Sequence, residues 1–306
     1  MARLVLDTDI GTDVDDALAL ALLLGSPEID LIGVTTVYGD TLVRAKLARR
    51  LVRLANPEVS IPFVPGSARP LSSRDVWWPG HEGTLFDDLA DEPVETGCDA
   101  VSYLIDTVAA HPGDIEVLCI GPLTNIAQCL RQDSQFACNV RRLTLMGGDF
   151  SPHGRTAEYN FAADAVAAKE VLESDLRLTI VGFDVTTQIR LTPLETDQIG
   201  KAGPLGAALR AEIERFWGFA GHPWNNPHDP IAAMTLLRPD LFGHEERSVR
   251  IAAEGSQPGL AIEDGSARRS ARIITSLDKA AVRHEIVRRI VAGCHSGSGA
   301  VSTCLE

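Results

Sequence analysis

Short β-branched or leucine-rich runs alternate with helical patterns along most of this 306-residue chain. Arg3–Leu6, Asp30–Val37, Ile61–Val64, Ile115–Ile120, Arg142–Met146 and Leu178–Val181 read as strands. Asp15–Leu24, Thr41–Leu54, Ala100–Ala110, Leu123–Leu130, Ala162–Leu172 and Ala207–Phe219 read as helices. Alternation of this kind builds an α/β protein with an open, mostly parallel sheet. The strands are apolar on both sides, as a sheet covered on both faces requires. Later, Ser248–Ala253 and Ala271–Leu277 read as strands and Lys279–Ala292 as a closing helix. With no linker between two halves, the expectation is a single domain over residues 1–293. The Ser/Gly-rich segment 294–306 is expected to be a disordered tail. Two stretches read as long loops, Pro65–Thr96 and His222–His228, and long loops in such folds often carry function.

Lys and Arg number 28 against 42 Asp and Glu, a formal charge of −14. A surface that acidic is repelled by nucleic acid and by anionic membranes, so neither is expected as a partner. The longest apolar run, Ala17–Leu24, has eight residues, far short of the ~20 that span a bilayer. The amino terminus shows no signal-peptide pattern. The six cysteines contain no C-x-x-C pair and read as reduced thiols packed as small hydrophobes, in a cytoplasmic setting.

The strongest local signal is Asp7-Thr-Asp9-Ile-Gly11-Thr-Asp13-Val-Asp15-Asp16, in which five carboxylates fall within ten residues between a strand and a helix. Strand carboxyl ends are where open parallel sheets bind ligands. Two like charges ~4 Å apart repel by ~4 kcal/mol at an effective dielectric of ~20. The following helix N-terminus offsets only ~0.3–1 kcal/mol per acid. A hard divalent ion held by oxygen would supply the rest. An EF-hand loop is excluded, because Thr12 stands where it needs Gly and Leu18 where it needs Glu. A phosphatase of the haloacid-dehalogenase type also opens with an apolar strand and Asp-x-Asp. It wants a phosphate-binding lysine, and none of the four (46, 169, 201, 279) stands at an evident strand end.

The fingerprint Asp-Thr-Asp-x-Gly-x-Asp-x-Asp-Asp-Ala resembles that of the nucleoside hydrolases, the inosine–uridine-preferring N-ribohydrolases. Further blocks resembling that family follow in order: Thr35-Thr36-Val37-Tyr38-Gly39-Asp40, Gly121-Pro122-Leu123-Thr124-Asn125-Ile126-Ala127, Leu145-Met146-Gly147-Gly148, Ala157-Glu158-Tyr159-Asn160 with Asp164 beyond, and His228-Asp229-Pro230. The resemblance runs from about residue 3 to 290.

That resemblance implies a Rossmann-like nucleoside hydrolase fold, a homo-oligomer (dimer or tetramer), and Ca²⁺-dependent hydrolysis of ribonucleosides to ribose and free base. It assigns Asp9, Asp16, Asp229 and the Ile120 carbonyl to the ion, and makes Asp9 also the base toward the attacking water. Asp15 would take the ribose 2′-OH, Asn160 the 3′-OH and Glu158 the 5′-OH, with Met146 packed on the sugar. Asp7 and Asp40 would support the ligands from behind. His228 would protonate the leaving base, and His81 on the long loop would reach it. Asn160 equally suits a helix N-cap and Glu158 a surface acid. Trp77, Trp78 and Trp224 suit either base stacking or packing. The chain departs from the short fingerprint by two extra residues after Gly11, which leaves Asp13 as well as Asp15 open for the 2′-OH. The segment before Ala157 is short, and His153 or Arg155 would substitute for an absent 5′-OH contact. Two other readings stand beside this one: a metal-dependent phosphohydrolase, and a nucleoside- or sugar-binding protein without turnover.

Overall fold

The computed structural model describes residues 1–151, 156–265 and 269–295. Among these residues the strands are β1 (Ala2–Thr8), β2 (Ile29–Thr36), β3 (Phe63–Pro65), β4 (Ile115–Cys119), β5 (Arg142–Met146), β6 (Leu178–Val181), β7 (Phe242–Arg247), β8 (Val249–Ile251), β9 (Ala261–Glu263) and β10 (Ala271–Leu277). The helices are α1 (Asp15–Leu24), α2 (Thr41–Ala55), α3 (Ala100–Ala110), α4 (Thr124–Gln132), α5 (Phe136–Asn139), α6 (Tyr159–Ala163), α7 (Ala165–Glu173), α8 (Phe183–Thr186), α9 (Pro193–Gly200), α10 (Gly203–Ala220), α11 (His228–Leu237) and α12 (Lys279–Cys294).

Eight strands form one sheet in the order β3-β2-β1-β4-β5-β6-β10-β7, parallel except for the last pair. Period-two alternation sends Leu4 and Leu6 to one face and Val5 to the other. The first face packs under α1, α2 and α9–α12, the second under α3, α4 and α7. The expected open, doubly covered α/β sheet is therefore present. Strand order reverses at β1, whose neighbours are β2 and β4. In doubly wound sheets such a reversal opens a crevice at the strand carboxyl ends.

Several boundaries differ from those read in the sequence. The helix expected over Ala162–Leu172 is two helices broken at Asp164, whose carboxylate accepts from Ala167 N–H and caps α7. The segment read as a loop ending at His228 is followed directly by α11, which begins at that residue. Residues 248–253 supply only β8, paired with β9 outside the main sheet. The edge strand β7 exposes His244, Glu245 and Glu246 and carried no apolar signal. The closing helix runs on through Cys294, which is buried, and beyond His295 the segment read as a tail lies outside the described residues. Cys119 and Cys129 are buried as read, whereas Cys98 and Cys138 are exposed. No helix among the described residues is long and apolar enough to cross a membrane.

Candidate active site

The ends of β1 and β4 meet where the sheet reverses. Asp9 follows β1, Ile120 follows β4, and Ile120 N–H donates to the Asp7 carbonyl at 2.9 Å. Gly121 allows this approach, since a Cβ there would lie 2.7 Å from Asp9 Oδ1. Asp15 and Asp16 open α1, and α11 brings in Asp229 from across the chain. Asp229 N–H lies 3.4 Å from Asp15 Oδ2. Asp9, Asp15, Asp16 and Asp229 are each no more than 5% exposed. Asp13 lies partly exposed beside them, and oxygens of Asp13, Asp15 and Asp16 fall within 4.8 Å of one another.

Such crowding disfavours ionisation. Burial, the neighbouring charge of Asp13 and others, and only partial relief from Arg44 push Asp9 up to about 7. Burial first, then the other acids, hold Asp15, Asp16 and Asp229 well above the usual carboxylate range. Oxygen-only donors in this number fit a hard divalent cation, which would restore the charged forms. Among the described residues Arg44 is the counter-charge that eases Asp9 and Asp16, and its donors go mainly to backbone. Nε donates to Tyr38 O at 2.7 Å and Nη1 to the carbonyls of Asp9 and Ile10, the latter at 2.8 Å. Nothing in the sequence marked it, because an arginine on an amphipathic helix reads as a solvated face. Thr8, also unmarked, donates its hydroxyl to Asp16.

The carboxylates floor a cavity of about 410 Å³ that also touches Ile120, Met146, Glu158, Asn160 and His228. Of the residues singled out in the sequence, these and Asp9, Asp15, Asp16 and Asp229 come together. Asp7 stays behind the wall. Its Oδ1 accepts from Thr35 Oγ1 at 2.6 Å and Asn125 Nδ2 at 2.7 Å, tying β1 to β2 and α4. Burial, against those two bonds, pushes Asp7 up to about 6. Asp40 is a correction. It is exposed and accepts from Val43 N–H at 3.0 Å, capping α2 rather than backing the ligands. His81 stands outside the cavity lining, with Nε2–H donating to Thr12 O at 2.6 Å and its ring 5.4 Å from Phe219.

Glu158, not Asn160, is the N-cap of α6. Its Oε1 accepts from Asn160 N–H at 2.8 Å and its Oε2 from Gly148 N–H at 2.9 Å. It is buried rather than a surface acid, and burial, opposed by those backbone donors, pushes it up to about 7. Asn160 Nδ2 donates to the carbonyls of Ile120 at 3.0 Å and Met146 at 3.2 Å, which leaves its Oδ1 for a ligand. His153 and Arg155 lie outside the described residues.

The opposite wall is aromatic: Trp77, Tyr159, Phe183, Phe216 and Phe219. Four of these are among the exposed large apolar side chains of the chain, with Trp77 46% and Phe219 57% exposed. Tyr38, at φ +66°, accepts Trp77 N–H on its hydroxyl at 2.9 Å and fixes that part of the wall. Trp78 instead packs over Arg44, and Trp224 lies between His222 and Arg190. Phe216 and Phe219 went unmarked, although their three-residue spacing on one helix face was a readable signal. Burial pushes His228 down to about 4, against the pull of Asp13.

A carboxylate floor at the sheet's reversal point, open to an aromatic cavity, defines an α/β protein with a site able to hold a cation and a small polar molecule with an apolar ring. The chain matches the profile of the family described as inosine-uridine preferring nucleoside hydrolase over residues 4–284, and it belongs to that family. It is thus an N-glycosyl hydrolase of ribonucleosides. It is 29% identical over 287 residues to uridine nucleosidase 1 of Arabidopsis thaliana, covering 87% of this chain and 83% of the relative. It is 33% identical over 264 residues to the non-specific ribonucleoside hydrolase RihC of Salmonella agona, covering 83% and 84%. The solved structure of a purine-preferring ribonucleoside hydrolase from Gardnerella vaginalis is similar at a TM-score of 0.81 and 28% identity, covering 96% of this chain and 99% of that one.

Proposed function

We propose that this chain hydrolyses the N-glycosidic bond of ribonucleosides with Ca²⁺ as the resident ion, held by Asp9, Asp16, Asp229 and the Ile120 carbonyl. The carrying observation is that buried acids from opposite ends of the chain converge beneath a cavity with an aromatic far wall. Ca²⁺ suits the set better than Mg²⁺, since it accepts 6–8 oxygens in irregular geometry and a diol readily completes the shell. When bound, the ion supplies positive charge that makes a water more acidic and draws the vicinal hydroxyls of ribose.

The remaining chemistry belongs to the chain. Asp9 takes the proton of the attacking water. Asp15 accepts from the 2′-OH, Asn160 Oδ1 from the 3′-OH and the spare lone pair of Glu158 from the 5′-OH. As the C1′–N bond lengthens, positive charge grows on the sugar, and the surrounding carboxylates stabilise it. Trp77, Tyr159, Phe183, Phe216 and Phe219 enclose the base and shield it from water. His228 donates to the departing base. The relatives' names span uridine, non-specific and purine-preferring enzymes, so the reading takes the ribonucleoside as its class.

The test is reducing-sugar release from purine, pyrimidine and 2′-deoxy nucleosides, with chelator and with Ca²⁺ restored. Ribose release that chelator stops and Ca²⁺ restores is expected, with 2′-deoxynucleosides far slower. Asp9→Ala should lose at least about 10²-fold in kcat while remaining folded. Phosphate release from nucleotides without sugar release would favour a phosphohydrolase, and saturable binding without turnover would favour a binding protein.

A further inference from the structure

His228 is the one imidazole lining the cavity among the described residues, and two side chains of the short helix α8 hold its ring. Thr186 Oγ1 lies 2.6 Å from His228 Nδ1. The Phe183 ring stacks on the imidazole, with centroids 5.4 Å apart and planes 15° apart. The helix carrying both is pinned to the loop after β5. Phe183 N–H donates to Gly148 O at 2.8 Å, and Phe150 N–H donates to Asp184 Oδ1 at 3.1 Å.

A threonine hydroxyl has one proton to give and lone pairs to receive with. Thr186 Oγ1 also lies 3.3 Å from the Phe183 carbonyl, which can only accept. The 2.6 Å contact to Nδ1 is the shorter, so the hydroxyl proton is directed to Nδ1, which accepts it, and the neutral ring carries its own proton on Nε2. The hydrogen bond on one ring nitrogen sets the role of the other. Nε2, which bonds to nothing among the described residues, is then the nitrogen left to the cavity.

We propose that Thr186 is a positioning residue that, together with Phe183, fixes the ring orientation and tautomer of His228 so that Nε2 meets the leaving base. This rests on the reading of His228 as the group that serves that base. In the step, the C1′–N bond breaks and its electron pair stays on the base, which departs as an anion stabilised by the hydrogen bond that Nε2–H donates. The water oxygen bonds to C1′ and gives its proton to Asp9. Thr186 keeps its hydrogen bond to Nδ1 throughout and is placed to touch neither sugar nor ion ligands.

The experiment compares two leaving groups on the full chain with Ca²⁺ present. Inosine and uridine release basic anions that need a hydrogen-bond donor as they depart. 4-Nitrophenyl β-D-ribofuranoside releases a stable phenolate and needs none. Thr186→Val, which keeps the volume and removes the hydroxyl, should lower kcat on the nucleosides about 10²-fold, the scale of one general-acid contact. KM and the rate on the nitrophenyl riboside should stay within about threefold of wild type, because the sugar and ion contacts remain. Thr186→Ser should restore nucleoside turnover. The nitrophenyl rate also reports folding. If the valine variant does not fold, Thr186→Ala is read by the same ratio. Equal losses on both leaving groups, or undiminished nucleoside turnover, would overturn the assignment. A wild-type chain that cleaves no nucleoside would instead defeat the function reading, which is a separate outcome.

Discussion

Asp40 sits in a block that the sequence ties to the carboxylate cluster, yet its carboxylate faces solvent and caps α2 through Val43 N–H. Asp164 caps α7 while also accepting from Leu71 N–H at 2.7 Å and Thr124 Oγ1 at 2.7 Å. Asp7 joins three elements, and Asp9, Asp15, Asp16 and Asp229 face the cavity. One residue type thus does three jobs. Spacing revealed the crowding at residues 7–16 but not the direction each side chain takes. Asp40→Ala should therefore lower stability by about 1 kcal/mol, the usual loss for a removed N-cap. It should leave kcat/KM unchanged, as steady-state kinetics beside a urea titration will read. Asp229 was legible only through the resemblance, since nothing local links it to a cluster some 200 residues earlier. Arg44 and Thr186 were not legible, because each acts through backbone or a ring brought near only by the fold.

At the scale of elements, the strand core of the sheet was readable because both faces demand apolar residues, as Leu4, Val5 and Leu6 illustrate. β7 was not, because an edge strand with His244, Glu245 and Glu246 facing water has no apolar period. Nor was the break between α6 and α7, where the capping carboxylate of Asp164 overrides a continuous alanine-rich pattern. The packing of α1 on α12 depends on glycine. A Cβ at Gly293 would meet Ala21 O at 2.0 Å, and one at Gly25 would meet Arg289 O at 1.9 Å. Helix propensity alone would have Gly293→Ala stabilise by ~1 kcal/mol. Two backbones in contact cannot yield as side chains do, and overpacking costs ~1–3 kcal/mol. The expected outcome is net destabilisation, read as a lower urea midpoint at unchanged slope.

Across the whole molecule, the sheet order places the site at its reversal point, and the fold gathers acids from the first and last thirds of the chain there. That arrangement makes stability depend on pH and on the ion together. Burial and neighbouring acids push Asp9 up to about 7 in the fold from an ordinary value near 4, and Asp15, Asp16 and Asp229 shift in the same direction. Between those values the folded chain holds protons that the unfolded chain has released. Without the ion, stability is fully present below about 4 and falls as pH rises through about 7. A bound divalent cation stabilises the ionised cluster and opposes that fall. The most direct measurement is the thermal midpoint of chelator-treated protein from pH 4 to 8, with and without millimolar Ca²⁺, for wild type and Asp229→Asn. The account predicts a midpoint that declines with pH without the ion and is raised by Ca²⁺, increasingly so toward pH 8, with most of that rise lost in the variant. A wild-type midpoint that Ca²⁺ leaves unmoved at pH 8 would contradict it.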